Sequence, residues 1–132
     1  MREVDVTAAA GESRTMDGYS ELLDIEAYNK LKELFAAGFL SAIETHTQSV
    51  RENVIRAEQA IQQADPELLE RAAHSIKGAS AQFGAIRLNK LATEIEALAK
   101  EGELSSAKSL LAELRVAQER VAELMLAAAE AS

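Results

Sequence analysis

Arg71-Ala72-Ala73-His74-Ser75-Ile76-Lys77-Gly78-Ala79-Ser80-Ala81-Gln82-Phe83-Gly84 has the apolar rhythm of a helix, yet it carries a glycine in mid-run. Wound at about 100° per residue, the stretch gathers Leu69, Ala72, Ala73, Ile76, Ala79, Ser80 and Phe83 on one flank, a stripe suited to face a core. His74 points away from that stripe. Lys77 and Gly78 follow it by one turn, at the i+3 and i+4 positions that neighbour it on a helix surface. An imidazole, an ammonium group and a bare patch of backbone therefore share one solvent-facing surface.

Glycine inside a helix costs about 1 kcal/mol relative to alanine, and no turn or core contact in the pattern explains Gly78. With Ala81 one turn further on, the surface beside His74 stays low, so a bulky group could reach a ring nitrogen. Neutral imidazole, with an ordinary pKa near 6.5, is a competent nucleophile near neutral pH. A cation at Lys77 suits the stabilisation of negative charge on a phosphoryl group received there.

The pattern of His74, Lys77 and Gly78, with Gly84 six residues further on, resembles the phosphoacceptor helix of histidine-containing phosphotransfer (HPt) domains. The likeness extends in helix layout from about Leu23 to Leu126. It implies a phosphorelay intermediate in which His74 accepts a phosphoryl group from a receiver-domain aspartate and passes it to another. It implies response-regulator receivers or a hybrid histidine kinase as partners, and a Mg²⁺ ion brought by the receiver rather than a cofactor bound by this chain. A polar residue on the following helix can hydrogen-bond the ring in such domains. Glu96 stands at about that point, where the family often has glutamine, and a carboxylate there would orient the ring. Ser75, Ala81 and Gln82 are expected in the receiver-contact surface, together with exposed residues of the neighbouring long helix.

Outward from this helix, the chain reads as helical throughout. Asp65-Pro66 supplies an N-cap followed by proline at the first helical position. Upstream, Ile43, Thr47, Val50, Val54, Ala57 and Ile61 step by threes and fours, the seam of a long helix from Phe39 to near Gln63. Before it, Asp24 can cap a shorter helix running to Phe35, which is expected to cover one end of the bundle. Downstream, Gly84 fits a helix-terminating turn, after which Leu88, Leu91, Ala92, Ile95 and Leu98 face inward, and Gly102 closes that helix. A last helix begins between Leu104 and Ser106. Four main helices with short connections predict an all-α antiparallel up-down four-helix bundle with an additional short N-terminal helix. Residues 1–20 lack a sustained apolar period and read as a flexible tail; residues 21–132 form the bundle domain.

Composition narrows the function further. One proline and six glycines among 132 residues, with aromatics at 4%, suit a helical single domain. Without cysteine there are no disulfides and no thiolate metal site. No apolar run approaches the ~20 residues of a membrane span, so the sequence predicts a cytoplasmic protein, expected to be monomeric. A net charge of −8 argues against nucleic acid as the main partner. His46, the other histidine, has no lysine or glycine at the matching offsets and reads as structural or merely exposed. Neither histidine has metal-ligand spacing, and no phosphate-binding glycine loop marks a kinase, so the chain is read as a transfer intermediate rather than an enzyme. Two other classes remain compatible: a helical adaptor that binds a receiver or histidine kinase without being phosphorylated, and a lipid-binding bundle, which the acidic charge disfavours.

Overall fold

The computed structural model describes residues 23–35 and 38–131; the segment read as a flexible tail lies outside them. Among the described residues five helices follow in order: α1 (Ile25–Phe35), α2 (Phe39–Gln62), α3 (Pro66–Gln82), α4 (Ile86–Lys100) and α5 (Leu104–Ala131). The last four form a closed ring in which α2 packs on α3 and α5, and α4 packs on α3 and α5. Arg51 pairs with Glu119 and Glu58 with Arg115, so α2 ascends where α5 descends. These pairs are about half exposed, worth ~0–1 kcal/mol each; they mark direction more than they hold the fold. The hold comes from fully buried Ile43, Val50, Leu69, Ile76, Leu88, Ile95, Leu114, Val121 and Met125, each contributing about 1.5–3 kcal/mol by leaving water.

Every turn within the bundle has one form. Ala64, Gly84 and Gly102 adopt left-handed φ of 54°, 69° and 74°. After each, the next N–H reaches back to a carbonyl five residues earlier: Asp65 to Ala60, Ala85 to Ser80 and Glu103 to Leu98, at 2.8–2.9 Å. That is the Schellman closure of a helix C-terminus, and it reverses the chain within three residues. Asp65 then caps α3, its carboxylate accepting from the Leu68 N–H with Pro66 at the first position.

At two places a small residue takes the innermost position beside a larger one assigned inward from sequence. Ala99 is buried where Leu98 is half-buried, and Ala60 is buried beside half-buried Ile61. Close helix approach favours alanine there, while the longer neighbour covers the seam's edge.

Helix α1 covers the end of the bundle where α2 starts, α3 turns into α4 and α5 finishes. Leu23 and Tyr28 are buried, the Tyr28 hydroxyl donates to the Met125 carbonyl at 2.8 Å, and the Tyr28 ring meets Phe39 edge-on. The Asp24 N–H donates to the Gly84 carbonyl. A Cβ on Gly84 would stand 3.1 Å from Ala27 Cβ and from the Asp24 carbonyl oxygen. This turn therefore needs glycine for its dihedral and for the close passage of α1.

Candidate functional site

His74 lies at mid-length of α3, on the side opposite its buried residues Leu69, Ala72, Ala73, Ile76 and Ser80. Its side chain is 68% exposed. Its Nδ1 nevertheless has a fixed partner: Glu96 Oε2 of α4, at 2.9 Å. The other carboxylate oxygen of Glu96 holds Lys77 Nζ, also at 2.9 Å. One carboxylate thus bridges the imidazole and the ammonium group.

Glu96 is 8% exposed, and a carboxylate is buried at such a place only with compensating partners. The Lys77 ammonium is the larger influence and the His74 hydrogen bond the smaller; together they outweigh burial and hold the Glu96 carboxyl below its ordinary value. Glu96 is therefore an anion near neutral pH and can only accept hydrogen bonds. The Nδ1 atom of His74 must then carry a proton, which leaves the lone pair of the neutral ring on Nε2.

The surface beyond the ring is open. Gly78 is exposed, and a Cβ built on it meets nothing within 4 Å. Ser75, Ala81 and Gln82 are exposed on the same helix. Past Gln82, an open groove of about 530 Å³ runs between α3 and the N-terminal half of α2, lined by Ala42, Thr45, His46, Ala79, Gln82 and Phe83, with Ser41 and Ser49 also contributing. Among the described residues none of its lining side chains is charged.

Two features of this region are poorly legible from sequence. His46 is buried rather than exposed: its ring stacks on Phe83 at 4.2 Å between centroids, and its Nε2 has no hydrogen-bond partner among the described residues. Desolvation lowers its pKa from 6.5 to about 4, so it is neutral at physiological pH. Asn89 of α4 donates from Nδ2 to the Lys77 carbonyl oxygen at 3.1 Å. The available signal was spacing, since Asn89 precedes Glu96 by seven residues and shares its helix face.

A family model described as the Hpt domain matches residues 41–131. Among solved structures, the chain is similar to histidine-containing phosphotransfer protein B (HptB) from Pseudomonas aeruginosa PAO1, with 27% sequence identity over 82% of this chain and 94% of that one, at a TM-score of 0.79. No curated protein sequence matches significantly.

Proposed function

The chain belongs to the Hpt domain family and is a histidine phosphotransfer intermediate of phosphorelays; from that premise we propose that His74 is the phosphoacceptor, taking a phosphoryl group from the aspartate of one receiver domain and giving it to the aspartate of another. The observation that carries this reading is the pairing of an exposed ring with a buried carboxylate on Nδ1, which turns the Nε2 lone pair outward.

In the forward step His74 Nε2 attacks the phosphorus of the partner's phosphoaspartate. The N–P bond forms as the P–O bond to the aspartyl carboxylate breaks, and that carboxylate departs with the electron pair. The Nδ1 proton remains on the ring, where the Glu96 anion offsets the positive charge that develops. In the onward step an aspartate oxygen of the second receiver attacks phosphorus, and the N–P pair returns to Nε2. Lys77 is assigned the stabilisation of negative charge on the phosphoryl oxygens, and Gly78 the clearance through which the partner's active site approaches. Ser75, Ala81, Gln82 and the uncharged groove beside them form the docking surface in this reading.

We assign the divalent cation to the receiver, where it would neutralise phosphoryl charge, because Glu96, the carboxylate beside His74, is occupied by imidazole and ammonium. The same reading takes the protein as a cytoplasmic monomer that transfers without ATP chemistry of its own.

The test is incubation with a radiolabelled phosphorylated receiver. Acid-labile, alkali-stable label should appear on the chain and vanish in His74→Gln, whose helical circular dichroism should match the parent. Label that persists in His74→Gln, or that maps to His46, would overturn the assignment. Stable receiver binding without label would favour the adaptor reading.

A further inference from the structure

Lys77 is held at both ends by one face of α4. Its carbonyl oxygen accepts from Asn89 Nδ2 at 3.1 Å, and its ammonium group meets Glu96 Oε1 at 2.9 Å. Asn89 and Glu96 are seven residues apart, two helical turns or about 10.5 Å along the axis, so the lysine is gripped from two points on a single stripe. The Lys77 side chain is 34% exposed between them.

Asn89 makes its side-chain bond outside its own helix. It lies past the first turn of α4, where its side chain caps nothing, and asparagine is among the weaker helix formers because it competes for nearby backbone groups. Its amide instead crosses to a neighbouring helix, to the residue that follows His74 by three. The Lys77 carbonyl also lies within α3, whose own ladder gives it an N–H partner, so Asn89 adds a second donor to that oxygen.

We propose that Asn89 is a positioning residue for phosphotransfer: by fixing the Lys77 backbone against α4, it sets where the Lys77 ammonium stands relative to Glu96 and the His74 ring. A flexible four-carbon stem anchored only at its tip could reach Glu96 from several rotamers and several small displacements of α3. Anchored at carbonyl and tip together, it is limited to placements compatible with both bonds. The inference rests on the reading that Lys77 faces the transferred phosphoryl group.

The test is a double-mutant cycle on the rate of transfer from a phosphorylated receiver. Asn89→Ala should slow transfer about three- to tenfold. Asn89→Asp should slow it more, since it sets an oxygen against the Lys77 carbonyl where a donor stood. Asn89→Leu keeps the branched shape and heavy-atom count and improves helix propensity while losing the donor; it should behave as Asn89→Ala does and guards against a variant that merely unfolds. In a Lys77→Ala background, Asn89→Leu should produce no further slowing. Parental rates in the Asn89 variants would overturn the inference, as would equal slowing with and without the lysine, which is the signature of a residue that only packs α3 against α4. A parent chain that accepts no label would instead overturn the phosphotransfer reading, and this inference with it.

Discussion

His74 and Glu96 stand 22 positions apart in the chain and meet through Nδ1 and Oε2 at 2.9 Å. The contact joins a side chain that is 68% exposed to one that is 10% exposed, so an otherwise free surface ring takes its orientation from the rim of the core. The bond sets which nitrogen is protonated, while Lys77 on the second oxygen keeps the acceptor ionised.

Replacing Glu96 should separate those two contributions. Glu96→Gln retains an oxygen for the Nδ1 proton but loses the charge facing Lys77, whereas Glu96→Ala loses both. Nitrogen-15 spectra should report the Nδ1-protonated ring in the parent and a shift toward the other tautomer in Glu96→Ala, with transfer slowed about tenfold, equivalent to ~1.4 kcal/mol. Glu96→Gln should fall between. Because the Glu96 carboxyl is held below 4.5, chiefly by Lys77, its contribution to stability is present above that value and lost as pH falls through the lower folded value. The stability difference between the parent and Glu96→Gln should therefore shrink as pH falls below about 4.5, and a difference that stays unchanged there would count against the ionised pair.

His46 also loses stability in acid, but from a higher pH. Its folded pKa of about 4 lies below the unfolded 6.5, so the folded state favours the neutral ring. Stability is complete above pH 6.5 and falls as pH drops from 6.5 toward 4, by up to roughly 3 kcal/mol from this group. His46→Phe removes the proton and the unpartnered Nε2 while keeping a ring against Phe83, and should flatten that limb of the profile. Denaturant midpoints measured from pH 7 to 4 decide it; an unchanged slope would show that other groups carry the acid sensitivity.

The fold was legible from sequence wherever a residue type has one main structural use. Asp65-Pro66 starts a helix, Gly84 and Gly102 end them, and the spacing of Ile43, Val50, Val54 and Ala57 marks a buried seam. At the site, His74, Lys77 and Gly78 could be placed on one surface by helical geometry alone. Cross-helix partners were harder, because they depend on how two helices are set against each other. His46 sits at the flank of its seam, and Phe83 decides that it is buried; the partner of Asn89 is a backbone carbonyl, which leaves no trace in residue type. Ala64 was invisible for a third reason, since alanine carries no signature of a left-handed turn.

Ala64 is accordingly a place where the sequence departs from its own turn chemistry. An L-residue in the left-handed region costs about 1–2 kcal/mol, partly offset on substitution by the greater unfolded-state freedom of glycine. Ala64 is exposed, so little packing is at stake. Ala64→Gly should stabilise the bundle by about 0.5–1 kcal/mol, seen as a melting temperature higher by a few degrees. Gly102→Ala, at φ 74° with nothing within 4 Å of the new methyl, should lower stability by a similar amount. If the two substitutions shift stability in the same direction, the backbone account of these turns is wrong.

Gly78 and Gly84 should respond to alanine with opposite signs, since they owe their glycines to different causes. At Gly84 the φ is 69° and a methyl would press on Ala27 and Asp24 at 3.1 Å, so Gly84→Ala combines backbone strain with displacement of α1 and should destabilise more than Gly102→Ala does. Gly78 has ordinary helical surroundings and open space, so Gly78→Ala should stabilise the fold by up to about 1 kcal/mol while slowing transfer only modestly. Gly78→Gln should also fold, yet its longer side chain would stand one turn from His74 in the path assigned to the receiver, and transfer should fall far more than stability does. Thermal midpoints and transfer rates of the three variants, beside the parent, give the comparison. Normal transfer by Gly78→Gln would mean that the clearing beside His74 has no part in docking; early unfolding of Gly78→Ala would mean that this backbone is closer to its neighbours than the open space around it implies.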